Sequence, residues 1–243
     1  MAGLIPPHGK SQLNPLIASE AGHSDALTYA EQLRKVPMSS REVSDLLMLG
    51  MGAYTPLKGF MGEADWRGCC LDMKTADGLF WPIPITLSCE SDLASGIAVG
   101  EEVALLDDTG TIFGTLEVTE KYTIDKAFEC ANVYRTTDVA HAGVEKVMQQ
   151  GAINLAGPVI VLNEGDYSET YPGLYYRPAE TRALFQTQGW NTVAAFQTRN
   201  PMHRSHEYLA KIAVEICDGL LIHQVLGALK PGDIPAEVRV ASI

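Results

Sequence analysis

The stretch Trp190–Ile216, WNTVAAFQTRNPMHRSHEYLAKIAVEI, constrains the fold more than any other part of this 243-residue chain. A short apolar run, Val193 to Phe196, meets the polar cluster Gln197-Thr198-Arg199-Asn200, and then Pro201 and a helical pattern carrying His203 and His206. A second apolar run follows the helical one. Strand 192–196, helix 201–217 and strand 220–226 therefore read as one β-α-β unit, whose length requires parallel strands and a right-handed crossover. In sheets of this kind ligands bind outside the carboxyl ends of the strands, where the polar cluster falls. Asn200 suits the N-cap and Pro201 the first helical position. Leu209, Ile212, Ala213 and Ile216 share one helix face, which is expected to be buried.

The same residues carry the chemistry. His203 and His206 are three apart and thus neighbours on the helix surface. They stand in the first two turns, where unpaired backbone N–H groups and the positive end of the dipole attract anions. Arg199 adds a fork of donors suited to an oxyanion, and Gln197 and Thr198 add neutral donors. Together these are the parts of a polyanion site. Each has a plainer explanation: a surface histidine pair, an arginine in a surface ion pair, or a metal site. The commoner helical zinc pair is spaced i, i+4 with a glutamate, which His203-x-x-His206-Glu207 lacks. The coincidence of all these groups at one strand-to-helix switch favours the anion site.

The rest of the chain divides near 165–170. Before it, a helix is expected over 25–36 with Ser24 as its cap, and Ser39 with Glu42 has the spacing of a capping box for a helix over 40–49. Gly50 is placed to close that helix in a left-handed conformation. The loop GMGAYTPLKGFMG, 50–62, is not a phosphate loop and reads as a turn packing its aromatics. The prolines of WPIPITLSC, 81–89, confine it to an edge or an irregular strand. A hairpin is expected from 101–106 and 111–124 around Asp107–Gly110, then a helix over 138–149 and a strand over 157–162. After the boundary come a helix over 178–188, the β-α-β unit, a Lys230–Asp233 turn and the start of another helix. One crossover is short of the five or so strands of a doubly wound sheet, so the second domain reads as incomplete at its C-terminus.

A formal net charge of −12 without a basic stripe argues against nucleic acid and anionic membrane surfaces as partners. The N-terminus lacks a signal-peptide pattern, no apolar run reaches spanning length, and five cysteines without a CxxC pair suggest neither disulfides nor a zinc knuckle. A cytoplasmic location is expected.

The run Gln197-Thr198-Arg199-Asn200-Pro201-Met202-His203-Arg204-Ser205-His206-Glu207 resembles the signature of the ATP sulfurylases. SDLLMLGMGAYTPLKGFM (44–61), LFWPIPITL (79–87), GPVIVLN (157–163) and DGLLIHQVLGALKPGDIPAEVR (218–239) resemble family segments in the same order, and only Ala142 in HAGVEKV departs, where the family commonly has proline. The resemblance implies a β-rich, PUA-like domain over 1–167 and an incomplete α/β nucleotidylyltransferase domain over 168–243. It implies adenylyl transfer from ATP to sulfate, giving adenosine 5′-phosphosulfate and pyrophosphate, with Mg²⁺ carried on the nucleotide. Gln197 and Arg199 would hold sulfate, and Thr198, Arg199 and Asn200 would stabilise the transition state. Gln197, Asn200, His203 and His206 would contact ATP. A homo-oligomer is expected by the same resemblance. A Gly-Arg-Asp-His-Ala-Gly motif, which in the family supplies a further arginine, is absent here. An adenylyltransferase for another oxyanion, a non-catalytic fragment and a PUA-type RNA-binding module are the alternatives.

Overall fold

The computed structural model describes residues 3–226 and 232–243, in two compact units: Pro7–Pro178, and Ala179–Ile243 with the N-terminal residues through Pro6. The larger unit begins with α1 (His23–Ala30), β1 (Arg34–Pro37), α2 (Ser40–Gly50), β2 (Gly59–Phe60), α3 (Glu63–Asp72), β3 (Leu87–Cys89) and α4 (Ser91–Ser95). It continues through β4 (Glu102–Leu106), β5 (Ile112–Glu117), β6 (Glu120–Thr123), α5 (Lys126–Val133), α6 (Ala142–Met148), β7 (Ile153–Val161) and α7 (Tyr167–Thr170).

Strand β7 is the spine of this unit. Its first half pairs antiparallel with β3 and β6, and its second half with β2 and β5. Gly157 marks the change of partner: its φ is +149°, and a Cβ there would lie 1.9 Å from the Glu117 carbonyl oxygen. Strand β4 extends the sheet antiparallel to β5, and β1 runs parallel to β4. Leu46, Leu87, Leu105, Leu116, Leu155 and Val161 are buried in the core over this sheet. Helix α2 starts where its capping box predicts. Ser39 Oγ accepts from Glu42 N, and Glu42 Oε2 accepts from Ser39 N at 2.8 Å. Leu46, Leu47 and Leu49 are then carried into the core. The 50–62 loop is the expected structural turn: Tyr54 meets Trp81 edge-on at 5.8 Å, and Phe60 is buried.

Three expectations in this unit are corrected. The first helix stops at Ala30, and its cap is Gly22 with φ 96°, not Ser24. Residues 34–37 instead form β1, because a ladder to Val103–Leu106 outweighs local helix preference. Gly50 is helical; the left-handed glycine is Gly52, with φ +77°. Helix α5 lies where no element was expected, capped by Asp125, whose side chain accepts from Phe128 N.

The smaller unit contains α8 (Pro178–Thr187), β8 (Val193–Thr198), α9 (Arg204–Ile216), β9 (Gly219–Gln224) and α10 (Ala236–Ala241). Gly189, at φ 73°, follows α8 as its proline-to-glycine punctuation implies. Strands β8 and β9 are parallel, in register from Val193↔Gly219 to Thr198↔Gln224. Their amino ends are tied by Asp218, whose carboxylate accepts from Asn191 N at 2.9 Å and Thr192 N at 2.8 Å. Residues 230 and 231 of the expected 230–233 turn lie outside the described residues, and the helix expected beyond it is α10.

Helix α9 departs from expectation twice. It begins at Arg204 with His203 as its N-cap, rather than at Pro201 with Asn200 as cap. The face expected to be buried is largely open: Leu209 is 53% exposed, Ile212 44% and Ile216 78%. A pair of strands is too narrow to cover that face, and Ala210 alone among the described apolar side chains of this unit is buried. Among the described residues no helix is long and apolar enough to cross a membrane.

Candidate functional site

The polar cluster lies at the carboxyl end of β8, beside the end of its parallel partner. Gln197 and His223 face each other in register, with Nε2 and Nδ1 3.2 Å apart. Side chains alternate along a strand, so Phe196, Thr198 and Gln224 point to the opposite face. There the Phe196 ring stands 5.5 Å from that of His206, so this is the face α9 covers.

The loop after β8 closes on itself. The Thr198 hydroxyl, buried, accepts from Asn200 N at 3.1 Å and donates to Asn200 O at 3.1 Å. Met202 N is spent on Ser242 Oγ at 2.8 Å. The chain therefore stays extended to His203, at φ −138° and ψ 174°, and the helix starts three residues late. His203 caps it by accepting from Ser205 N on Nδ1 at 3.3 Å. A neutral His203 that accepts on Nδ1 carries its proton on Nε2, as a donor. The His206 ring stacks on it with centroids 3.7 Å apart, and His206 Nδ1 is buried without a hydrogen-bond partner among the described residues. The side-chain amide of Gln224 is likewise buried and unpartnered among the described residues.

Arg199 is half-buried. Its Nη2 and Nε donate to one oxygen of Asp233, at 2.6 and 3.1 Å. The hydrogen bond to that carboxylate pushes the guanidinium pKa up still further, so the positive charge is permanent. Behind the loop Arg239 is buried, and its Nη1 donates to the carbonyls of Arg199 at 3.2 Å and Val225 at 2.6 Å. A shallow groove runs beside the first turns of α9, lined by Arg204, Ser205, Glu207, Tyr208 and Lys211.

The structure thus gathers Thr198, Arg199 and Asn200 into one tight turn and stacks His203 on His206. Gln197 joins this set from the other face of the strand pair. His223, Gln224, Asp233, Arg239 and Ser242 were not picked out from sequence. The parallel register contained a signal for the first two, since it sets His-Gln opposite Gln-Thr at the strand ends. Nothing in the local pattern marks the other three. Chemically the assembly offers hydrogen-bond donors and the permanent positive charge of Arg199, which is the equipment for binding and stabilising anionic charge.

A family model described as a PUA-like domain matches residues 5–164, and one described as ATP-sulfurylase matches residues 172–243. A sulfate adenylyltransferase of Psychrobacter sp. (strain PRwf-1) is 56% identical over 99% of this chain and 58% of its own length. The chain joins a PUA-like domain to an ATP-sulfurylase domain. Two more ATP-sulfurylase relatives, both named sulfate adenylyltransferase, agree. That of Chlorobaculum tepidum is 58% identical over 97% of this chain and 59% of its own length; that of Thiobacillus denitrificans is 57% identical over 100% and 60%. The chain therefore spans about three fifths of the length of these curated relatives. A solved structure described as a hexameric APS kinase from Thiobacillus denitrificans superposes with a TM-score of 0.72 at 29% identity, covering 96% of this chain and 42% of that one. The ATP-sulfurylase match contains the whole strand–loop–helix site, and the PUA-like match, apart from Ile5 and Pro6, lies within the larger unit.

Proposed function

We propose that the loop 197–206 is the substrate-binding edge of a sulfate adenylyltransferase, joining sulfate to the α-phosphate of ATP with release of pyrophosphate. Sulfate is fully ionised at neutral pH and needs no base to activate it. The difficulty is to bring one anion against another in line and to neutralise the charge that builds up, which is work for fixed donors. Gln197 and Arg199 would hold sulfate, and Thr198, Arg199 and Asn200 would stabilise charge at the reacting centre. Gln197, Asn200, His203 and His206 would contact the ATP phosphates, with Mg²⁺ entering as part of the nucleotide substrate. The observation that carries this reading is the pairing of a permanent cation, Arg199, with a histidine-capped helix start at one strand end. His206 Nδ1, unpartnered among the described residues, adds to it as a buried group that a polar ligand would satisfy.

As the solved relative is described as hexameric, this chain is proposed to assemble as a homo-oligomer, and a cytoplasmic location is part of the same proposal. The test is a titration of the 243-residue chain with sulfate and then MgATP, followed by the amide resonances of 197–206 and the two imidazoles. Sulfate is expected to move Gln197 and Arg199, and MgATP to move His203 and His206. Histidine resonances indifferent to MgATP would overturn the assignment. Equal responses to sulfate and to other oxyanions would point to an adenylyltransferase of different specificity.

A further inference from the structure

The short loop that carries the anion donors is held from one direction. Asp233 grips the Arg199 guanidinium through Nε and Nη2, Arg239 donates to the Arg199 carbonyl, and Ser242 Oγ receives Met202 N. Side chain, main chain and following amide are thus each tied to one stretch, 233–242, outside the run 197–207 that holds the donors. Arg239 also donates to Val225 O, so the same guanidinium bridges the loop and the segment just past β9.

Stability alone does not account for the Asp233 contact. Both partners keep some solvent exposure, and ion pairs of that kind add little to folding. For anion binding the carboxylate is a liability, because it sets a negative charge beside the group that must receive a dianion. Its gain is geometric. An arginine has many rotamers, and a donor that stabilises a transition state has to be fixed before the substrate arrives.

We propose that Asp233, Arg239 and Ser242 are positioning residues for the oxyanion step, setting the direction of the Arg199 guanidinium and the path of its backbone. This rests on the reading that Arg199 holds sulfate. Arg239 is too deeply buried for its removal to be a clean test, so Asp233→Asn and Ser242→Ala are the variants. The probes are inorganic sulfate and oxalate, dianions of different shape, titrated into the 243-residue chain by calorimetry, with thermal melts to verify folding. A change in charge alone alters affinity for both dianions alike, whereas loss of aim alters their ratio. Both variants are expected to lower the sulfate-to-oxalate affinity ratio by about tenfold, the equivalent of one misdirected charge-assisted hydrogen bond. The Arg199 Nε–H resonance should also exchange faster with solvent in Asp233→Asn. An Arg199→Ala control separates the two ideas. If it leaves sulfate affinity unchanged, or if the parent chain does not bind sulfate, the assignment of Arg199 fails and this proposal with it. If Arg199→Ala abolishes binding while both other variants keep the parent ratio, the positioning role alone is overturned.

Discussion

Glu42 is buried, and each of its oxygens accepts two hydrogen bonds: Oε2 from Ser39 N and Oγ, Oε1 from Ser88 N and Oγ. One carboxylate thereby starts α2 and ties it to β3. Replacing Glu42 by Ala removes the buried acceptor shared by the main-chain N–H groups of Ser39 and Ser88, and urea unfolding should record a loss of about 2 kcal/mol. Asp45, one turn further along, behaves differently. Burial raises its pKa to about 6, against the opposing pull of Arg41 and of the Tyr54 hydroxyl, with Glu42 adding a smaller upward push. Its carboxyl protonates more readily folded than unfolded, so its share of stability is complete below about pH 4 and is lost as pH rises through about 6. Asp45→Asn should therefore stabilise the protein by about 1–3 kcal/mol at pH 7, an advantage that vanishes near pH 4. Denaturation at the two pH values checks this, and a difference independent of pH would refute it.

Among elements, legibility followed the range of the interactions. The capping box, the proline-to-glycine limits of α8 and the strand–loop–helix of the site are written in adjacent residues, and each is found in the structure. Strand β1 was missed because what decides it is a partner at 103–106. The late start of α9 was missed for the same reason: Met202 N goes to Ser242, a residue the local pattern cannot reach. Of the site, the donors were legible and their supports, Asp233 and Arg239, were not. Strand β7 depends on a single glycine to change partners, and a methyl group at 157 would collide with the Glu117 carbonyl. Gly157→Ala is expected to cost about 3 kcal/mol or more, with the β5 and β6 amides losing protection together. A melt within a degree of the parent would show that the crossing relaxes instead.

At the level of the whole molecule the two units are built unequally. The larger encloses a core of fully buried leucines and valines, whereas the described part of the smaller buries only Ala210 among its apolar side chains. Local opening should therefore be far easier in the smaller unit. Hydrogen exchange is expected to run at least about 100-fold faster in the β8 and β9 amides than in those of β7. Heating should give two separate transitions rather than one, with the site lost in the first. A single cooperative transition with uniform protection would contradict this view.

The hydroxyl of Thr198, which both donates to and accepts from Asn200, makes the loop's shape a local possession of three residues. Its direction comes from elsewhere, from Asp233, Arg239 and Ser242. The signature run 197–207 is therefore portable only in part. Grafted onto a foreign strand and helix, it would carry its curl intact and arrive with its arginine unaimed.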